Sequence, residues 1–203
     1  VTVTLTADTA SEYDFIIGLD ASGSMASPSK RFAGKTRWQE AQELIVGLAG
    51  VLGQYDADGI DVVTFGQSVQ MFEGVTSDKV TELLSSVSPY GGTPTADMLG
   101  KVVAKQKASG KNTVAIIFTD GEPNDKAGVK KVIIDAANGI EKDEALTFLF
   151  VQIGDAADAT AFLKSLDDDL EAEGAKFDIV DTLGAAEAET MAPLDLINHA
   201  IND

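Results

Sequence analysis

Three stretches of this chain are apolar without interruption: Phe15-Ile16-Ile17, Val114-Ala115-Ile116-Ile117-Phe118 and Phe148-Leu149-Phe150-Val151. A strand with one wet face alternates polar and apolar residues; a strand with none is covered on both faces. Sheets covered on both faces are mostly parallel, with helices in the crossovers. The intervening segments agree. Trp38, Ala41, Ile45, Leu48 and Leu52 recur at helical spacing, as do Val80, Leu83, Leu84 and Val87. So do Met98, Leu99, Val102 and Val103, then Val129, Val132, Ile133, Ala136 and Ile140, then Phe162, Leu163 and Leu166. A last helix is expected from about Glu189 to Ile201, with Pro193 in its first turn.

The expected strands are Tyr13–Asp20, Ile60–Phe65, Val69–Phe72, Thr113–Thr119, Leu146–Ile153 and Lys176–Val180. Only Gly66-Gln67-Ser68 separates the second from the third, a hairpin length too short for a crossover. The fold class is therefore α/β: a Rossmann-like, doubly wound, mostly parallel six-stranded sheet with one antiparallel edge strand and helices on both faces. Val1–Thr6 alternates with period two, so residues 1–12 are a candidate for an extra N-terminal edge strand. No repeat or linker divides the 203 residues, which read as a single domain.

Ligands of such sheets bind beyond the carboxyl ends of the strands, where the strand order reverses. Asp20 ends the first buried run and opens Asp20-Ala21-Ser22-Gly23-Ser24-Met25; Asp120 follows the fourth run in Thr119-Asp120-Gly121. If those strands are neighbours, the two carboxylates meet across the crevice. Gly91-Gly92-Thr93-Pro94-Thr95 opens a helix, with Thr93 expected as its cap and Pro94 as its first residue. Asp20, Ser22 and Ser24 share one side where the loop stays extended. Each motif alone has a plain reading: capping serines, a capping threonine, a turn. All three together, at strand ends and a helix start, point to a metal site of Asp20, Ser22, Ser24, Thr93 and Asp120. Such an all-oxygen set suits Mg²⁺, or Mn²⁺ or Ca²⁺; zinc and copper prefer His or Cys.

With no cysteine, disulfides, thiolate metal sites and cysteine catalysis are excluded. Fifteen basic against 33 acidic residues, a net charge of −18, argue against a nucleic-acid partner, which requires a basic face. No run approaches the roughly 18 apolar residues of a membrane span, so membrane insertion is not expected. The sequence begins at Val1 rather than Met, which leaves room for an upstream segment.

Asp20-x-Ser22-Gly23-Ser24-Met25, Gly91-Gly92-Thr93-x-Thr95 and Thr119-Asp120-Gly121-Glu122, in this order, resemble the metal-ion-dependent adhesion site of the von Willebrand factor A family. The likeness runs from about Tyr13 to Ile201. Phe148–Asp155 and Ala161–Val180 look more like stand-alone bacterial members than integrin or collagen-binding domains. The resemblance implies that Ser22 and Ser24 bind the metal directly. Thr93 would bind directly or through water according to state, and Asp20 and Asp120 largely through water. It implies a protein-binding module, not an enzyme, whose protein partner supplies an Asp or Glu to the metal. An AAA+ ATPase or a surface assembly is the partner class of bacterial members. A cytoplasmic monomer is expected, with an extracellular or cell-surface location as the alternative. One departure is Gly18, where a larger apolar residue is usual; a glycine there implies a close approach by a neighbour.

The other functional reading is a metal-dependent phosphotransferase or phosphatase. Its haloacid-dehalogenase-like form needs an acid two positions after the first Asp, where this chain has Ser22. No glycine-rich phosphate loop ending in Lys-Ser/Thr is present either, and the single histidine, His199, lies too near the end for a triad. His199 is expected on the surface or at a helix cap, and Trp38 in the core. Lys30, Arg31, Lys35 and Arg37 would form a basic rim that steers an acidic partner, or else an ordinary solvated loop. Glu122 would line the rim or be merely exposed. Asp167-Asp168-Asp169-Leu170-Glu171 lacks the alternation of a calcium loop and reads as a solvated helix end.

Overall fold

Apolar runs at the predicted places do form one sheet. The computed structural model describes residues 4–55 and 59–202. Its strands are β1 Tyr13–Asp20, β2 Ile60–Phe65, β3 Val69–Val75, β4 Asn112–Thr119, β5 Leu146–Gln152 and β6 Val180–Gly184. They lie in the order β3-β2-β1-β4-β5-β6, all parallel except the β2–β3 hairpin. The order reverses between β1 and β4, which pair from Tyr13↔Asn112 to Leu19↔Phe118.

The helices are α1 Ala7–Ala10, α2 Arg37–Leu52, α3 Ser77–Ser86, α4 Thr95–Ser109, α5 Lys126–Gly139, α6 Ala157–Asp168, α7 Ala185–Thr190 and α8 Pro193–Asn202. The alternation of strand side chains divides the core in two. Phe15, Ile17, Leu19, Val114, Ile116, Phe118, Leu149 and Val151 face α2, α3, α7 and α8. Ile16, Ala115, Ile117, Phe148 and Phe150 face α4, α5 and α6. At about 1.5–3 kcal/mol for each fully buried large aliphatic or aromatic side chain, these two layers dominate the stability of the fold. Trp38 lies buried in the first layer, as expected. At Gly18 a Cβ would stand 3.1 Å from Cγ1 of Ile117, so the close neighbour is mainly that side chain on β4.

Three expectations need correction. The last strand is not Lys176–Val180 but β6, four residues later. Parallel pairing sets its register, Phe148↔Val180 through Gln152↔Gly184. Its polar residues are accommodated by partners: Thr182 Oγ1 donates to Asp167 at 2.7 Å, and His199 Nε2 lies 2.5 Å from Asp181 Oδ2. His199 is therefore half-buried against β6, not free at the surface. The helix expected from Glu189 is two helices, α7 and α8, broken at Met191-Ala192; Pro193 begins α8, and the residue before a proline is disfavoured in helical geometry. Of the expected N-terminal strand, residues 1–3 lie outside the described residues. Thr4–Thr6 are not in a strand, and Thr6 caps α1. Among the described residues no helix is long and apolar enough to cross a membrane.

Candidate metal centre

Three loops meet over the β1–β4 crevice. β1 delivers Asp20, after which the chain continues extended through Ser22 (φ −69°, ψ 162°) and tightens into a 3-10 turn over Gly23–Ala26. The turn, rather than continued alternation, returns Ser24 to Ser22, with the two hydroxyl oxygens 3.0 Å apart. Ser24 Oγ donates to Asp120 Oδ1 at 2.8 Å. The Asp20 carboxylate accepts the Ser22 N–H at 2.8 Å and the Thr119 hydroxyl at 2.7 Å.

The second loop is tied to the first by two backbone bonds: Gly23 N–H donates to Gly91 O (3.0 Å) and Tyr90 N–H to Ala21 O (2.7 Å). Gly91 has φ +91°, and a Cβ there would stand 2.7 Å from Cα of Gln67. Only glycine suits both the conformation and the space. The third loop holds the second through Asn124. Its side chain accepts the Thr93 N–H at 3.0 Å, and its own N–H donates to Thr93 O at 3.0 Å.

That clamp overturns the expected cap. α4 begins at Thr95, Pro94 occupies the cap position with ψ 59°, and no side chain caps the helix. Thr93 thus serves Asn124 through its backbone, and its hydroxyl has no hydrogen bond among the described residues.

Asp20, Ser22, Thr93 and Asp120 are buried, while Ser24 is exposed, so the cluster opens to solvent at one end. Burial pushes the Asp20 carboxyl up to about 6 from its ordinary 3.8; the Thr119 and Ser22 hydrogen bonds oppose the rise, and the charge on Asp120 adds to it. Among the described residues no group of three or more His, Cys, Asp or Glu side chains could hold a metal. A cation here would depend on the hydroxyls. Their spacing fits one. Mg²⁺ holds oxygens at about 2.0–2.1 Å in an octahedron, which puts adjacent ligand oxygens about 2.9 Å apart. The Ser22–Ser24 and Ser24–Asp120 separations, 3.0 and 2.8 Å, straddle that value.

Residues 14–181 match the von Willebrand factor type A domain. The chain belongs to that family. Similar solved structures include the manganese-loaded TRAP protein of Plasmodium vivax, at 19% identity over 94% of this chain and 74% of that one, TM-score 0.61. The pilus adhesin SpaC of Lactobacillus rhamnosus GG gives 14%, 93%, 30% and 0.62 for the same quantities. A von Willebrand factor type A protein of Catenulispora acidiphila gives 16%, 93%, 42% and 0.61. These identities establish likeness of fold, and this chain spans less than half of the latter two proteins. Among curated proteins none is significantly similar in sequence. Von Willebrand factor A domains are in general adhesion or protein-interaction modules.

The remaining sequence expectations divide. All four basic residues of the Lys30–Arg37 segment are committed within the chain. Lys30 pairs with Asp155, Arg31 with Glu40 and Glu189, Lys35 with Glu43, and Arg37 with Asp120. They do not form a free cationic rim. Glu122 is exposed and pairs with Lys126 rather than facing the cluster. Sequence reasoning missed Thr119, Asn124 and the specific partner of Arg37. Thr119 adjoins Asp120 and Asn124 lies four residues beyond it, so proximity to the motif was the available signal. Tyr90 was missed too; it stands 65% exposed beside Gly91.

Proposed function

We infer that this domain is a metal-dependent protein-binding module. Asp20, Ser22, Ser24, Thr93 and Asp120 would hold a divalent cation, with Mg²⁺ foremost and Mn²⁺ or Ca²⁺ equally hard alternatives. The observation that carries the reading is the hydroxyl ladder from Ser22 through Ser24 to Asp120, at ligand-to-ligand spacing, beside a buried Asp20 that no Lys or Arg pairs among the described residues. The manganese in the Plasmodium vivax relative supports it. With few carboxylates in the donor set, a bound cation stays electrophilic and takes an Asp or Glu from a protein partner at the exposed Ser24 end. Thr119 and Asn124 act as positioning residues: one orients the Asp20 carboxylate, the other fixes the Thr93 loop.

This reading stands in place of a phosphotransferase or phosphatase, since Ser22 is where that chemistry needs an acid. It retains an AAA+ ATPase or a surface assembly as the partner class. It retains a cytoplasmic monomer too, with the cell surface as the alternative location; fractionation and sedimentation test these. The decisive measurement is thermal melting with Mn²⁺ or with EDTA. At about 100 times Kd the metal adds roughly 2.7 kcal/mol. Identical melts at millimolar metal would remove the site, and turnover of an aryl phosphate would restore the enzyme reading.

A further inference from the structure

Arg37 is the first residue of α2, yet it is built into the candidate metal centre. Its Nη1 donates to Asp120 Oδ2 at 2.6 Å, while Ser24 occupies the other oxygen of the same carboxylate. The Arg37 side chain is 18% exposed and that of Asp120 is fully buried. The backbone holds it in place: Arg37 N–H donates to Ser27 O at 2.9 Å, and Thr36 caps the helix with a reciprocal bond to Gln39. Room is made for the guanidinium by Gly154, where a Cβ would come within 3.3 Å of Nε at φ +80°. Nε is buried and has no hydrogen-bond partner among the described residues. A helix start that needed only solubility would not bury an arginine with an unpaired nitrogen, since such a group is costly to desolvate. Lys30, on the same loop, shows the ordinary arrangement, an exposed pair with Asp155.

The charge count gives Arg37 its role. Asp20 and Asp120 bring two negative charges, and Ser22, Ser24 and Thr93 bring none. A divalent cation on those five residues alone would make a formally neutral centre, whose pull on an anion is the metal's own electrophilicity and nothing more. With Arg37 included, the loaded centre carries one net positive charge, and one carboxylate neutralises it. We propose that Arg37 is a specificity-determining residue: its guanidinium on Asp120 weakens the hold on the metal and strengthens the capture of a carboxylate. The proposal rests on the metal-binding reading above and adds a direction to it. A charge that is fixed in place inside a partly buried site acts on both ligands with much less screening by salt than an exposed one.

The two effects have opposite signs, which separates them from structural damage. Arg37→Gln keeps a hydrogen-bond donor and loses the charge; Arg37→Lys keeps the charge. Mn²⁺ affinity is read by electron paramagnetic resonance of the free ion. Acetate is then titrated onto the Mn²⁺-loaded protein, and water-proton relaxation reports loss of metal-bound water. Relative to wild type, R37Q should bind Mn²⁺ roughly tenfold more tightly and acetate roughly tenfold more weakly, and R37K should lie near wild type on both. If R37Q weakens both ligands, or changes neither, Arg37 only pins the loop and the proposal is wrong. If wild type itself binds no Mn²⁺, the metal reading fails first and takes this one with it. Circular dichroism of each variant in EDTA confirms that the fold is intact.

Discussion

Replacing Asp20 by Asn should make the metal-free protein more stable while destroying the site. The buried carboxylate has Thr119 and Ser22 as donors and, among the described residues, no Lys or Arg as partner. Its carboxyl is raised from 3.8 to about 6. At about 1.4 kcal/mol per pH unit, that rise corresponds to roughly 3 kcal/mol of destabilisation at neutral pH. Asparagine has the same shape and still accepts the Ser22 N–H. The charge-assisted part of the Thr119 bond is already contained in that rise; against a protonated Asp20, asparagine forfeits only the neutral bond from the Thr119 hydroxyl, worth about 1 kcal/mol net. The expected gain is therefore about 2 kcal/mol at pH 8 in EDTA, or about 4–8 °C in Tm for a chain of this length. The sign with pH follows from the raised value. Below about 3.8 Asp20 is protonated in both folded and unfolded states and contributes nothing. The folded-state penalty grows as pH rises from there to about 6 and is complete above it. The gap between D20N and wild type should thus be widest at pH 8 and close near pH 4. In saturating Mg²⁺ the order should reverse, because only wild type gains the ligand-binding free energy. A D20N protein that melts below wild type at pH 8 in EDTA would mean that the Asp20 charge is compensated, and the argument would fall.

Asp120→Ala should keep the fold, abolish Mn²⁺ binding, and lower stability in EDTA by about 1–3 kcal/mol, because it strands Arg37 and the Ser24 hydroxyl; a more stable variant by urea unfolding would show that repulsion from Asp20 outweighs both. At Gly66 a Cβ would stand 2.3 Å from Ala21 O and 2.9 Å from Tyr90 O, so Gly66→Ala must move the first two loops of the candidate centre apart. It should lower stability by about 1–3 kcal/mol and weaken Mn²⁺ binding. Gly100→Ala is the control: it lies inside α4 with nothing within 4 Å of the added Cβ, and should raise stability by about 0.5–1 kcal/mol without touching the site.

The central strands could be read from sequence because burial on both faces leaves an uninterrupted apolar run, and only β1, β4 and β5 have one. β6 could not, because it is an edge strand whose Asp181 and Thr182 find partners on α8 and α6, at residues far away in sequence. Periodicity sees apolar faces; it does not see polar residues that meet across elements. The same limit applied at the site. Asp20 and Asp120 were legible as strand ends, and Ser22 and Ser24 by spacing. The role of Thr93 is not legible in the sequence, because Ser/Thr-Pro before a helix normally marks a cap and the competing clamp, Asn124, lies 31 residues away. Arg37 was visible only as one of four clustered cations; that it alone turns inward onto Asp120 is a fact of tertiary packing.

The placement of charge makes these observations one design. The chain carries 33 acidic residues, yet among the described residues only Asp20 and Asp120 bring carboxylates to the crevice, beside the hydroxyls of Ser22 and Ser24. A site with more carboxylates would hold a cation more tightly and have no use for another anion. On the proposed reading, an uncompensated Asp20, an Asp120 neutralised by Arg37 and an exposed Ser24 would give the reverse: a cation held at moderate strength with one side open to a further acidic ligand. The domain's large negative charge would then serve selectivity. An acidic partner would be repelled by the general surface and drawn to the one locally positive point, and removal of the metal should turn that attraction into repulsion.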